Sequence, residues 1–236
     1  MLSLASTRIT RKKETEMFIS AKPNRLLAAV LCVPLVACGS PEPVAYSGIE
    51  SSSQLVPNRQ DDPGRMPYRY ATPVDWRAYK SLIMDPVTIY RGPDNQFGDM
   101  SDADKATLAS YMSSQFTEKL RHRFVITTGP VPDTLRLKLT LTGAATSTPV
   151  LSTLSRFDIA GGLYNGVQSV RGGEGMMTGS VIYAVEIHDA STGRLLSAFI
   201  SKQYPNALNI GASIGSLAAA KAGIEKGAEA LVAYLK

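Results

Sequence analysis

The sequence predicts an α+β domain: an antiparallel sheet of about five strands with helices packed on one face, in the order β-α-β-β-β-β-α. Three observations carry this. Residues 134–142 alternate without a break, with Leu135, Leu137, Leu139 and Leu141 on one side and Arg136, Lys138 and Thr140 on the other. That is the period of a strand with one buried and one wet face. Residues 180–204 hold a second pair of strand-like runs around Asp189-Ala190-Ser191-Thr192-Gly193, with Val181, Tyr183, Val185 and Ile187 as an inner row. Two further stretches repeat apolar residues at helical spacing, one before the first strand pair and one at the end of the chain.

In chain order, Trp76 and Tyr79 come first, three residues apart on one side of a helical turn, suited to packing on the core or as a lid. Residues 82–90 read as a strand that contains Asp85-Pro86. Proline cannot donate to a ladder, so Pro86 implies an edge or a bulge. Ser101-Asp102-Ala103-Asp104 approximates a capping box and opens a helix to about residue 123, with Leu108, Met112, Phe116 and Leu120 on one face. Lys119, Arg121 and Arg123 complement its negative end, and such a cluster also suits an anion. A strand at 124–128, a turn at Gly129-Pro130-Val131-Pro132-Asp133 and the alternating strand follow. The terminal helix starts near Ser213 and lines up Leu217, Ile224, Ala228, Leu231 and Leu235.

The N-terminus carries an address. Lys22 and Arg25 precede a charge-free run of twelve residues, 26–37. A membrane-spanning helix needs about 20 apolar residues, so this run is too short to span and fits a secretory leader. Leu35-Val36-Ala37-Cys38-Gly39 has the pattern of a lipobox, in which the leader is cut before a cysteine that receives the lipid. Cys32 follows bulky Leu31 and is the poorer cleavage point. Residues 1–37 are thus expected to be a signal peptide, with Met17 an alternative start. Cys38 is the expected lipidation site, and Gly39, in place of Asp, points to the outer membrane, facing the periplasm.

Residues 1–37 hold six of the 25 basic and two of the 20 acidic residues, which leaves the remainder at a net charge of +1. A nucleic-acid binder would keep a basic excess or stripe, so no nucleic-acid partner is expected. Both cysteines lie at or before position 38. The remainder therefore has no disulfide, and is long enough for one domain with its own core. From residue 38 to 73 the prolines at 41, 43, 57, 63, 67 and 73 and the serines at 51–53 predict an extended tether, of which roughly 30 residues would span up to ~90 Å at ~3.1 Å each. Tyr46-Ser47-Gly48 interrupts it and is a candidate to dock back on the domain, taken as 74–236.

Between the hairpins, residues 143–179 are rich in glycine. A loop of that length is functional, disordered or hides a helix. It reads as a crossover packed on the sheet, as a contact for a partner or the membrane, or as a phosphate loop at Gly172-Gly173-Glu174-Gly175. The last lacks the strand, helix and Lys-Ser/Thr context of a P-loop. Leu163, Val167, Arg171 and Glu174 are the candidate partner contacts.

Catalytic patterns are sparse. His122 and His188 are the only histidines. No His/Cys/carboxylate run has metal-ligand spacing, so no cofactor is expected. His188 and Asp189 are neighbours on a strand and point to opposite faces, which suits no triad. Asp85 and Asp189 leave a carboxylate-dependent hydrolase open.

Several short motifs, in order, resemble the bacterial lipoproteins grouped as domain of unknown function 3313. They are Tyr46-Ser47-Gly48, Met84-Asp85-Pro86-Val87, Thr148-Pro149-Val150-Leu151, Gly179-Ser180, Asp189 with Thr192-Gly193-Arg194-Leu195, and the Ala-rich terminal helix. Relatives tend to have Trp-Ala near Ala228, a point of difference. The resemblance implies a lipoprotein without an assigned activity or catalytic residues. The expectation is then a lipid-anchored, non-catalytic binding or scaffolding component of the cell envelope with an unidentified envelope protein partner. An oligomeric secretion or assembly accessory is the alternative beside the hydrolase.

Overall fold

A computed structural model of the chain describes residues 41–60, 62–146, 179–206 and 215–236. The chain separates into two units, 1–37 and 38–236, and every described residue belongs to the second. Its strands are β1 (Val56–Pro57), β2 (Tyr68–Ala71), β3 (Ser81–Met84), β4 (Thr88–Ile89), β5 (Val125–Ile126), β6 (Thr134–Ala145), β7 (Ser180–Asp189) and β8 (Leu195–Gln203). Among the described residues the α-helices are α1 (Asp102–Leu120), between β4 and β5, and α2 (Ala218–Tyr234), at the end.

The fold is α+β with both helices against one face, and the sheet corrects the expectation in number and in direction. Among the described residues eight strands form one sheet in the order β1-β2-β8-β7-β6-β3-β5, with β4 also beside β6. The run β2-β8-β7-β6 is antiparallel, whereas β3 and β4 pair with β6, and β5 with β3, in parallel. The sheet is therefore mixed. The expected β5–β6 hairpin is absent because β3 lies between the two. β3 has buried side chains on both of its faces at Leu82 and Ile83, which suits an interior strand rather than an edge.

The strand expected at 82–90 is broken in two. β3 and β4 both lie along β6, and the chain leaves the ladder between them at Asp85-Pro86-Val87. Pro86 has no N–H to give, while the flanking Asp85 and Tyr90 donate their N–H groups to the carbonyls of Leu137 and Leu141.

α1 begins at the expected cap: Ser101 Oγ accepts from the Asp104 N–H at 3.1 Å. Its buried residues Leu108, Met112, Phe116 and Leu120 meet Leu135, Leu137, Leu139 and Leu141 of β6 and Val181, Tyr183, Val185 and Ile187 of β7 in one core. α2 joins that core through Ile224, Ala228 and Leu231. It comes close to the sheet at Gly223, where a Cβ would lie 2.9 Å from both the Gln203 carbonyl oxygen and Val181 Cγ1. Tyr111 to Glu225 and Lys119 to Glu229 link the two helices.

The opposite face holds the second correction. Residues 38–73 do not form a free tether over their described part. Tyr46, Ile49 and Leu55 are buried on Ile182, Ala184, Ala198 and Ile200, and β2 is hydrogen-bonded along β8. The motif at 46–48 docks as the sequence suggests. Tyr46 Oη donates to Gln96 Oε1 at 2.5 Å, Ser47 N–H to Asp94 at 2.9 Å and Gly48 N–H to Tyr90 Oη at 3.0 Å. The rings of Tyr46 and Tyr90 meet edge to face with centroids 5.5 Å apart. Prolines here shape an ordered covering rather than an open coil, because the face they cross is apolar and needs burial.

Candidate functional site

A cavity of about 240 Å³ lies between α2, the end of α1 and the β7–β8 ladder, with residues 62–66 at its side. Alternation places Tyr183 and Val185 of β7, and Phe199, Ser201 and Gln203 of β8, on this side of the sheet. Phe116 of α1 packs edge to face on Tyr183, at 5.7 Å between centroids. Leu231 and Tyr234 come from α2. Gly227 allows this arrangement, since a Cβ there would collide with the Tyr183 hydroxyl.

The polar groups of the wall satisfy one another. Gln203 Oε1 accepts from Arg65 Nη1 at 3.0 Å, and Gln203 Nε2 donates to Ser201 Oγ at 3.0 Å. Burial pushes the Tyr183 phenol far above its ordinary value, with Ser201 as its hydrogen-bond partner. The interior is otherwise apolar.

The lining also carries charge. Arg65 stacks over the Tyr204 ring at 3.9 Å and sits 3.7 Å from the Asp62 carboxylate. Lys226 of α2 projects at the same opening. Loss of water pushes its ammonium below the usual lysine range, Arg65 pushes the same way, and Asp62 opposes both.

The residues singled out from the sequence fall elsewhere. Cys38 and the candidate contacts Leu163, Val167, Arg171 and Glu174 lie outside the described residues. Asp189 is committed to its turn: Oδ1 accepts from the N–H and hydroxyl groups of Ser191 and Thr192, and Oδ2 from Tyr79 Oη at 2.8 Å. These donors, the Ser191 hydroxyl first, hold its carboxyl far below the carboxylate range, so it is a poor proton shuttle. Asp85 faces Arg136 at 3.5 Å. His188 is buried on the other face with Nδ1 unpartnered, near Glu186, whose carboxylate accepts from the Ser51 N–H at 2.7 Å. Burial holds the His188 imidazole below its usual range. Arg123 donates to the carbonyls of Tyr79 and Trp76 rather than to an open site.

Among the described residues no group of three or more His, Cys, Asp or Glu is placed to hold a metal ion, and no helix is long and apolar enough to cross a membrane. Sequence reasoning missed the cavity because its walls come from five separate stretches. Its one trace in the sequence is Gly223 and Gly227, four residues apart inside an otherwise good helix, a spacing that marks close approach.

No curated protein matches the chain. Among solved structures, the PelC dodecamer from Paraburkholderia phytofirmans aligns over 67% of this chain and 90% of its own, at 12% identity and a TM-score of 0.33. A leucine-to-methionine variant of the same dodecamer aligns over 67% and 89%, at 14% identity and the same TM-score. Likeness at that level carries no functional argument. A family model matches residues 45–231, and the chain therefore belongs to the family described as protein of unknown function, DUF3313.

Proposed function

We propose that this protein is a lipid-anchored lipoprotein of the cell envelope, held in the outer membrane by a lipid on Cys38 and facing the periplasm, and that its domain binds a ligand or partner rather than performing a reaction. The observation that carries the binding role is the cavity beside Tyr183, with mostly apolar walls, polar wall groups paired with one another, and charge supplied by Asp62, Arg65 and Lys226. Pockets of this kind recognise a ligand by shape and by a few polar groups at the opening. The anchoring half rests on the charge-free run at 26–37 and the small residues before Cys38. Leu163, Val167, Arg171 and Glu174 are the proposed contact for an envelope protein.

Labelled palmitate fed to cells tests the anchor. The chain incorporates it, and Cys38→Ser yields an unlabelled precursor or soluble form. Label on the Cys38→Ser protein would overturn the reading.

A further inference from the structure

We propose that the cavity between α2 and the β7–β8 ladder binds an anionic single-chain amphiphile, with a short acyl or alkyl tail inside and a carboxylate or phosphate head at Lys226 and Arg65. The inference rests on the reading of the domain as a binding module and names what that module takes.

Volume limits the tail. The cavity of about 240 Å³ is room for a short tail. The cavity lies below the ~300–1,000 Å³ of sites for larger ligands, which argues for a slender occupant. The walls are Phe116, Val185, Phe199, Leu231 and Tyr234, so an apolar chain replaces water at a gain. The polar strip asks for nothing from the tail. Gln203 is held by Arg65 and Ser201, and Tyr183 by Ser201, so a hydrocarbon beside them leaves no hydrogen bond broken.

Charge selects the head. Arg65 is fixed in place by Gln203, Asp62 and the Tyr204 ring. Lys226 has no such fixing and donates no hydrogen bond to a described residue, and its ammonium is disfavoured by desolvation and by Arg65. A bound anion would relieve both effects at once. A cationic head would meet two cations against the one carboxylate of Asp62.

The probe experiment uses the full chain carrying Cys38→Ser, so that no lipid of its own competes. Octanoate, octyl phosphate, octan-1-ol and octyltrimethylammonium are titrated below their micelle concentrations. Binding is followed by calorimetry and by the fluorescence of Trp76, the only tryptophan, whose ring lies 5.7 Å from that of Tyr234 in the cavity wall. Octanoate or octyl phosphate should saturate one site, and the tighter of the two names the head. The alcohol should bind about three- to tenfold more weakly, and the cation more weakly still. Lys226→Glu, a change at an exposed side chain, should weaken the anions by a similar factor and remove their advantage over the cation. Ala230→Phe, which fills the opening, should abolish binding of all four. Equal binding of alcohol and anion would overturn the head-group assignment while leaving a binding cavity. Saturable binding unchanged by Ala230→Phe, or no saturable binding at all, would overturn the proposal and leave lipidation at Cys38 untouched.

Discussion

Gly227 of α2 occupies the one spot against which the hydroxyl of Tyr183 is pressed: a methyl group there and that oxygen would claim the same space. The pair sets how closely the terminal helix approaches the sheet.

Gly227→Ala should therefore destabilise the protein by about 1–3 kcal/mol through overpacking. Replacing a glycine inside an unobstructed helix would instead stabilise by about 0.5–1 kcal/mol. Adding Tyr183→Phe removes the clashing oxygen and should restore part of the loss. Chemical denaturation of the two single variants and the double variant measures this, and strictly additive losses would contradict it.

Tyr46 is 1% exposed and bridges the N-terminal segment to Gln96. Tyr46→Ala should cost about 3–5 kcal/mol, as expected for a buried aromatic. Limited proteolysis should then cut residues 41–57 first. A residue on a loose tether would show neither effect, and unchanged stability would mean the segment contributes nothing to the fold.

Among the groups that make stability depend on pH, Asp189 and His188 act in separate windows. Asp189 has a folded pKa far below its unfolded value near ~3.9, so its contribution is present above that value and fades as pH falls toward the folded one. Asp189→Asn should cost about 1–3 kcal/mol at pH 7, with the gap to the parent narrowing below about pH 4. His188 is also depressed, chiefly by burial and then by Lys138, with Glu50, Glu186 and Asp85 opposing. The unfolded chain takes up that proton first, so stability should begin to fall as pH drops through ~6.5. His188→Gln should flatten the curve between pH 7 and 5 and leave the lower window alone. Thermal melts from pH 8 to 3 separate the two.

The proposed membrane address has its own test. Gly39→Asp should shift the protein from the outer-membrane to the inner-membrane fraction of a sucrose gradient, since Asp after the lipidated cysteine acts as a retention mark. An unchanged distribution would contradict it.

Local chemistry makes much of this fold legible. The Ser101 cap, the Leu row of β6 and the Asp189 turn each declare themselves within about ten residues, because capping, pleat and turn geometry are short-range effects. Strand order is different. That β3 enters between β5 and β6 depends on pairing across about fifty positions, and the only local trace is that both Leu82 and Ile83 are apolar. The N-terminal segment reads as linker because of its prolines and serines, while its few anchors, Tyr46, Ile49 and Leu55, become meaningful only against the apolar even-numbered face of β7. The cavity is hidden for the same reason: Arg65 and Lys226 are 161 positions apart in the chain.

The docked N-terminal segment also limits how far the domain can lie from Cys38. Glu42 is already held, its carbonyl accepting from Gln96 Nε2 at 2.7 Å. Only about four residues separate it from Cys38, a leash of at most ~14 Å at ~3.6 Å per residue. A lipid on Cys38 would then moor the domain close against the bilayer, with little freedom to roam or turn over, instead of suspending it far into the periplasm. Any partner it meets would have to come to the membrane surface.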